Sequence, residues 1–210
     1  MTRLVSITAL LLSFSLSASA APPARQSSLA ASSADEGHVS LAALIGYGIG
    51  FSSAVNIDSG PKPYGFMFGA RGGYLFPCHI YAGGTFLYNL GTSTDVRFQG
   101  GQTGSISTKM FTIAAEGGYE FVWVDRFRLR PYLGLGIARA SIGASFSNGQ
   151  EIPQLSDSAV YFAVQPGVVF EYSFFGSAPG PFVGLDDHFS FTTGSGTQGL
   201  VSLVTGGYRF

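Results

Sequence analysis

The sequence predicts an all-β fold: an eight-stranded, antiparallel, up-and-down barrel whose strands span a membrane. Three observations support this prediction. After residue 37 the chain divides into eight segments in which apolar residues alternate with small or polar ones. The connections between these segments are alternately short and long, which is typical of barrels inserted across a membrane. Charged residues make up only 11% of the chain, so much of the surface is predicted to face something other than water.

The composition excludes several other classes of protein. Hydrophobic residues make up 46% of the chain, yet no segment after the N-terminal region has the ~18 consecutive apolar residues of a spanning helix. The 30 glycines disfavour long helices. A net charge of −1 gives no reason to expect nucleic-acid binding. The single cysteine, Cys78, cannot form an internal disulfide.

The first 20 residues have the features of an export signal. A basic start at Arg3 precedes a mostly apolar run over 4–16, and Ala18 and Ala20 supply a small-x-small cleavage site. The run is too short for a membrane anchor, which needs roughly 20 apolar residues. Residues 21–37, rich in Ala, Pro and Ser, are predicted to be a flexible periplasmic leader, so the barrel domain is assigned to residues 38–210.

The eight predicted strands are each long enough to cross a membrane, which takes ~9–11 residues. They are 38–51, 64–76, 79–92, 107–123, 127–141, 158–175, 181–192 and 199–210. The long polar connections are 52–63, 93–106 and 142–157, with a shorter one at 193–198. A β-sandwich also contains many strands, but it does not require long connections at every other position.

Aromatic residues recur near the ends of the strands that lead toward the predicted periplasmic side. A soluble core is the alternative interpretation of such residues. Their repetition in four strands favours an aromatic girdle at a membrane interface. The predicted girdle consists of Phe76, Phe121, Trp123, Tyr172, Phe174, Tyr208 and Phe210.

The opposite strand face carries small residues and scattered charges, and it is predicted to line the lumen. An eight-stranded barrel leaves an interior just wide enough for side chains. The predicted polar network consists of Arg71, Glu116, Glu120, Arg130, Tyr132, Glu171, Asp186 and Arg209. Because an unpaired charge is costly in a confined lumen, we expect a plug of ion pairs. A gated proton or ion path through the same residues is the alternative.

The chain resembles the small eight-stranded outer-membrane barrels, namely the OmpA transmembrane domain and the OmpX-like proteins. The resemblance rests on the export signal, the eight segments, the polar outer loops and the ending Gly206-Gly207-Tyr208-Arg209-Phe210. It implies a Gram-negative outer-membrane location, contacts with outer-membrane lipid and lipopolysaccharide, and recognition of the closing strand by the barrel-assembly machinery. It also implies a structural or surface-interaction role without catalysis.

A short pattern on the seventh segment leaves an enzymatic alternative open. His188 and Ser190 resemble the base and nucleophile of the lipid A 3-O-deacylases, with Asp186 in a position to orient the histidine. The match departs from that family because Phe191-Thr192-Thr193 follows the serine and no acidic residue follows Asp187. We therefore predict no enzyme. Asp187 falls on the lipid-facing set, which predicts either a bulge or a misassigned register there.

Two further alternatives are a binding role for the outer loops and a soluble barrel instead of a membrane-spanning one. Loops 93–106 and 142–157 exceed what a hairpin needs, so an adhesin or ligand-binding role through them is one alternative. They contain few aromatic or charged residues, which favours solvated loops instead. A soluble lipocalin-like barrel is disfavoured because the minority face is too weakly polar for a solvated exterior. No cofactor or metal site is predicted, since His38, His79 and His188 are scattered.

Overall fold

The computed structural model describes residues 37–51, 63–97, 103–146, 157–176, 178–194 and 198–210. All of them lie in one compact unit, Ser32–Phe210. The predicted export signal and all but the last residue of the predicted leader lie outside the described residues. In the part of the chain that is described, no helix is long and apolar enough to cross a membrane.

Ten β-strands make up the fold. They are β1 (His38–Gly50), β2 (Phe66–Leu75), β3 (Ile80–Asn89), β4 (Ser93–Arg97), β5 (Thr103–Tyr119), β6 (Phe121–Val124), β7 (Phe127–Phe146), β8 (Asp157–Ser173), β9 (Gly180–Thr192) and β10 (Gln198–Arg209). Eight of these are long, whereas β4 and β6 are short segments of five and four residues that extend the ladder.

The eight long strands form a closed antiparallel barrel. Each pairs with its neighbour along the chain, β3 with β5 and β5 with β7 included. The ring closes where β1 pairs with β10, from Ser40 opposite Arg209 to Gly50 opposite Gly199. The prediction of an eight-stranded up-and-down barrel is confirmed. Among the described residues, closure pairs both edges of each of the eight long strands, as a membrane-spanning sheet requires.

The strands differ from the predicted boundaries at both ends of the barrel. The predicted strand 107–123 is interrupted at Glu120, whose side chain is buried between β5 and β6. The predicted loops 93–106 and 142–157 were too long, because β4 pairs with β5 and β7 continues to Phe146 opposite Gly104. Backbone groups in these extensions pair with a neighbouring strand rather than with water.

The alternation of side chains separates an outer and an inner face, and it settles the orientation of Asp187. The register is regular there: Asp187 lies opposite Ser202 on β10 and Val168 on β8. Its side chain is exposed on the outer face. Both predicted explanations, a bulge and a misassigned register, were therefore wrong, and the carboxylate points outward.

Candidate functional site: the barrel lumen

The inward side chains divide the lumen into two regions. We call the end where β10 finishes at Arg209 the lower end, and the opposite end the upper end. Strand directions place charged residues toward the lower end and apolar residues toward the upper end. On β5, for example, Met110 lies above Glu116, and on β10 Leu203 lies above Arg209.

A lower cluster of five charged side chains fills the bottom of the lumen. Arg128 Nη1 donates to Glu120 Oε1 at 2.5 Å. Arg130 Nη2 donates to Glu171 Oε1 at 2.7 Å, and Arg209 Nη2 donates to Glu171 Oε2 at 2.9 Å. Arg130 also reaches Glu120 Oε2 at 3.4 Å. Each carboxylate therefore bridges at least two guanidinium groups, which is the arrangement that buried charges need.

A middle cluster lies above it and is centred on Arg71. Its Nη2 donates to Asp186 Oδ2 at 2.6 Å and to Glu116 Oε1 at 2.9 Å. The hydroxyl of Thr85 donates to Glu116, and the hydroxyl of Tyr132 donates to Asp186 Oδ1 at 2.9 Å. These bonds connect five strands, β2, β3, β5, β7 and β9, across the barrel interior.

The two clusters balance their charge. Among the described residues they contain four arginines and four carboxylates, all 5% exposed or less: Arg71, Arg128, Arg130, Arg209, Glu116, Glu120, Glu171 and Asp186. Seven of these were named from the sequence. Arg128 was missed, although it lies two residues before Arg130 on the same strand face, and this spacing was a usable signal. The fourth arginine neutralises the network.

Glycines on the inner face leave room for a tyrosine that sequence reasoning also missed. Tyr81 is 1% exposed, and the Arg130 guanidinium carbon lies 4.0 Å from its ring centroid. A side chain at Gly73 or Gly83 would collide with the Tyr81 ring or hydroxyl. The stacked arginine thus gains a cation–π contact in addition to its ion pairs.

An apolar layer packs in the upper lumen and is covered by a tyrosine. The layer consists of Leu44, Met67, Leu87, Met110, Ala138, Ala163, Val201 and Leu203, with Tyr64 packed on it. Tyr64 lies just before β2, and its hydroxyl donates to the carbonyl oxygen of Ser190 on β9 at 3.3 Å. The charged side chains are therefore confined to the lower and middle lumen, whereas the upper lumen contains the apolar layer together with neutral polar side chains such as Asn89, Thr108 and Ser190.

The residues of the enzymatic alternative lie inside this lumen. His188 and Ser190 are each 2% exposed and face inward on β9. His188 Nδ1 lies 3.3 Å from Asp186 Oδ1. Within the described residues, His188 Nε2 has no hydrogen-bond partner, so the contact between base and nucleophile is not formed.

The predicted girdle residues lie on the outer face or at the ends of strands. Four aromatic pairs recur at two-residue spacing, with ring centroids 4.9–5.5 Å apart: Tyr74–Phe76, Tyr119–Phe121, Tyr172–Phe174 and Tyr208–Phe210. Trp123 lies further along, on β6, and is 81% exposed. Each pair stands at the lower end of a strand that descends toward it.

Comparisons with known proteins agree with this architecture. The sequence matches the family described as outer membrane protein beta-barrel domain over residues 6–195. No curated protein sequence matches the chain. The fold is similar to the crystal structure of Neisserial surface protein A (NspA), with a TM-score of 0.52 and 13% identity, over 83% of this chain and 97% of that one.

Two other solved structures are similar over 83% of this chain. One is Ail, the attachment invasion locus protein of Yersinia pestis, in complex with the heparin analogue sucrose octasulfate, with 17% identity, a TM-score of 0.48 and 97% of that chain covered. The other is the N-terminal β-barrel domain of Pseudomonas aeruginosa OprF, with 14% identity, a TM-score of 0.45 and all of that chain covered. At these identities the likeness concerns the fold alone.

Proposed function

Because the chain belongs to the outer membrane protein beta-barrel domain family, we propose that it is a non-enzymatic outer-membrane protein with a structural or surface-interaction role. In this proposal the side chains that fill the lumen stabilise the barrel and leave no open channel through it. The short turns at the lower end face the periplasm, and the long connections lie outside the cell, as in bacterial barrels generally. The aromatic pairs then mark the periplasmic membrane interface.

The observation that carries the proposal is the sealed, charge-balanced lumen. The described inward charges cancel, so the network needs no counter-ion from solvent. Ion conduction through a barrel needs a continuous water path. The packed apolar layer and Tyr64 interrupt such a path above the clusters. This supports a closed barrel over the gated ion path that the sequence also allowed.

Planar-bilayer recording of the purified full chain tests the closed lumen. We expect no conductance steps from the wild type. A variant that combines Tyr64→Ala, Met67→Ala and Leu203→Ala removes the cover and part of the apolar layer, and it should conduct measurably more. Single-channel conductance from the wild type, in preparations that remain fully folded by heat-modifiability on SDS gels, would contradict the proposal.

The position of His188 and Ser190 supports the absence of lipid A hydrolysis. Both are buried in the lumen below Tyr64, away from the lipid that surrounds the barrel. We expect the purified protein to release no 3-hydroxy fatty acid from lipopolysaccharide. Release by the wild type that is lost in Ser190→Ala would establish the deacylase alternative instead.

A surface-interaction role has its own supporting observation. β5, β7 and β8 contain 17, 20 and 17 residues, more than the ~9–11 that cross a membrane. Their excess lies at the upper end, to which the sequence segments 93–106 and 142–157 are connected. Replacing both segments by short Gly-Ser linkers should abolish any binding of intact cells to surface ligands. Unchanged binding after both replacements would remove this role.

The closing strand and the outer leaflet supply the proposed partners. Phe210 directly follows β10, the strand that we propose the barrel-assembly machinery recognises. Its removal should lower the amount of folded protein in the outer membrane. Fractionation followed by SDS gels with and without boiling measures this directly. Equal amounts of the heat-modifiable form from the wild type and from a chain ending at Arg209 would contradict the proposed recognition.

A further inference from the structure

Two cations stand side by side on the outer face of the barrel, away from the lumen. Lys109 on β5 and Arg139 on β7 are both exposed and belong to the outward sets of their strands. The register places Lys109 opposite Ser141 and Arg139 opposite Phe111. The two cations are therefore diagonal neighbours on adjacent strands, a spacing that long side chains can bridge.

Their depth is that of the upper membrane interface. Arg139 lies twelve residues above Phe127, which contacts Tyr172 at the lower end with ring centroids 5.1 Å apart. A membrane-spanning strand uses about 9–11 residues, so Arg139 lies at the upper boundary of the hydrocarbon region. Phe111 lies opposite Arg139 on one side and opposite Tyr88 on the other, and we call Phe111 and Tyr88 the aromatic row. A cation is costly at the membrane midplane and tolerated at this depth.

Serine hydroxyls surround the two cations. Arg139 Nη2 donates to Ser158 Oγ at 3.2 Å. Ser158 lies opposite Ser141, which lies opposite Lys109. A depression of about 350 Å³ on this face is lined by Lys109, Ser141, Ser107 and neighbouring residues of β5 and β7. We call Ser107, Lys109, Arg139, Ser141 and Ser158 the outer cationic patch.

Among the described residues, no carboxylate neutralises the patch. Within the described part of the chain, no Asp or Glu oxygen lies within 4.0 Å of the Lys109 or Arg139 side-chain nitrogens. Asp157 precedes Ser158, but its Oδ1 accepts the Ser158 backbone N–H at 2.7 Å. Asp95 on β4 lies opposite Ser105, four residues along β5 from Lys109. The patch therefore offers two positive charges and several hydroxyl donors.

A phosphate group has the complementary chemistry. Guanidinium and ammonium groups form charge-assisted hydrogen bonds with phosphate oxygens, and hydroxyls supply further donors. The patch opens sideways onto the lipid, directly above the aromatic row, and not toward bulk water. We infer that the outer cationic patch binds the phosphate groups of an outer-leaflet lipid, which in a Gram-negative outer membrane is lipopolysaccharide. This inference rests on the proposed orientation, in which the upper end faces outward.

Binding of fluorescently labelled lipopolysaccharide to the full-length barrel in uncharged maltoside micelles tests the inference. The wild type is compared with Lys109→Gln, Arg139→Gln and the double variant. Each cation near a charged lipid surface contributes about fivefold in affinity, so we expect about 25-fold weaker binding for the double variant. Wild-type binding should weaken as salt is raised and should fall similarly for phosphatase-treated lipopolysaccharide. Excess inorganic phosphate should displace the labelled lipid poorly.

Arg126→Gln is the matched control, because this cation lies in the turn at the opposite end of the barrel and bonds the Tyr172 hydroxyl there. We expect wild-type affinity from it. Equal affinity of the double variant and the wild type, or of phosphorylated and dephosphorylated lipopolysaccharide, would overturn the inference. Full displacement by inorganic phosphate would overturn the lipid assignment. Heat-modifiability and conductance, measured on the same samples, report on the proposed function separately.

Discussion

At the scale of single residues, Asp187 shows how a barrel tolerates an unfavourable side chain. It points away from the lumen between Leu185 and Phe189, which are both exposed on the same face. Ser202 lies opposite it and supplies a neighbouring hydroxyl. A carboxylate on the lipid face is unfavourable, although less so than a lysine or arginine. We therefore expect this carboxylate to lower the stability of the folded barrel.

Replacing Asp187 by Asn should therefore stabilise the barrel. We expect the free energy of unfolding to rise by about 1–2 kcal/mol, because the charge no longer needs hydration within the lipid band. Urea unfolding in phospholipid vesicles measures the change. Asp125→Asn in the turn between β6 and β7 is the control and should change the stability by less than about 0.5 kcal/mol. A less stable Asp187→Asn protein would show that the carboxylate has a compensating partner.

At the scale of elements, the packing between β8 and β9 depends on a residue without a side chain. Gly167 lies opposite His188, and a Cβ there would fall 2.5 Å from His188 Cβ and 2.8 Å from the Tyr132 ring. A Cβ added to Gly206 on β10 would have no atom within 4 Å. Both glycines lie within strands, but a Cβ has no room at Gly167 and open space at Gly206.

Gly167→Ala should destabilise the barrel by about 1–3 kcal/mol, the usual cost of overpacking a filled interior. Gly206→Ala should leave the free energy of unfolding within about 0.5 kcal/mol of the wild type. Urea unfolding of both variants in the same vesicles gives the comparison. Equal stabilities would mean that the strands shift to accommodate the methyl group.

The lower aromatic pairs also belong to this scale, and Trp123 reports on them. It is the single tryptophan of the chain, so its fluorescence needs no assignment. Located on β6 at the lower end, it should be quenched more by lipids brominated near the headgroup than by lipids brominated deep in the chains. A Trp123→Phe, Leu133→Trp protein, with its tryptophan in the middle of β7, should show the reverse. The same depth profile for both proteins would contradict the girdle.

At the scale of the whole molecule, the lumen network connects strands that are distant in sequence. Arg71 on β2 pairs with Glu116 on β5 and Asp186 on β9. Removing this arginine leaves two buried carboxylates without their shared partner. Removing Glu116 alone leaves Arg71 paired with Asp186. The stability of the network therefore depends more on Arg71 than on Glu116.

Arg71→Met should lower the free energy of unfolding by about 3–5 kcal/mol, the usual cost of an uncompensated buried charge. Glu116→Gln should cost clearly less. Arg126→Met, an exposed arginine in the lower turn, is the control and should cost less than about 1 kcal/mol. Urea unfolding measures all three. If Arg71→Met and Glu116→Gln were equally destabilising, the shared pairing of Arg71 would not govern stability.

The sequence by itself determined the fold class, the two strand faces and most of the charged lumen residues. Alternation of side chains is a local property with a period of two, so it can be read without knowing which strands pair. This alternation predicted seven of the eight charged lumen residues. The same alternation also places Arg128 on the inner face, two residues before Arg130.

Only the tertiary structure decided which residues meet. Arg71 contacts Asp186 across 115 positions, and Tyr64 covers the upper lumen by bonding Ser190 across 126. Lys109 and Arg139 became neighbours through the register of β5 and β7. Register depends on hairpin geometry and on packing around the closed ring, and a shift of one residue would exchange the two faces. Pairing across the lumen is therefore a property of the closed barrel and not of any one strand.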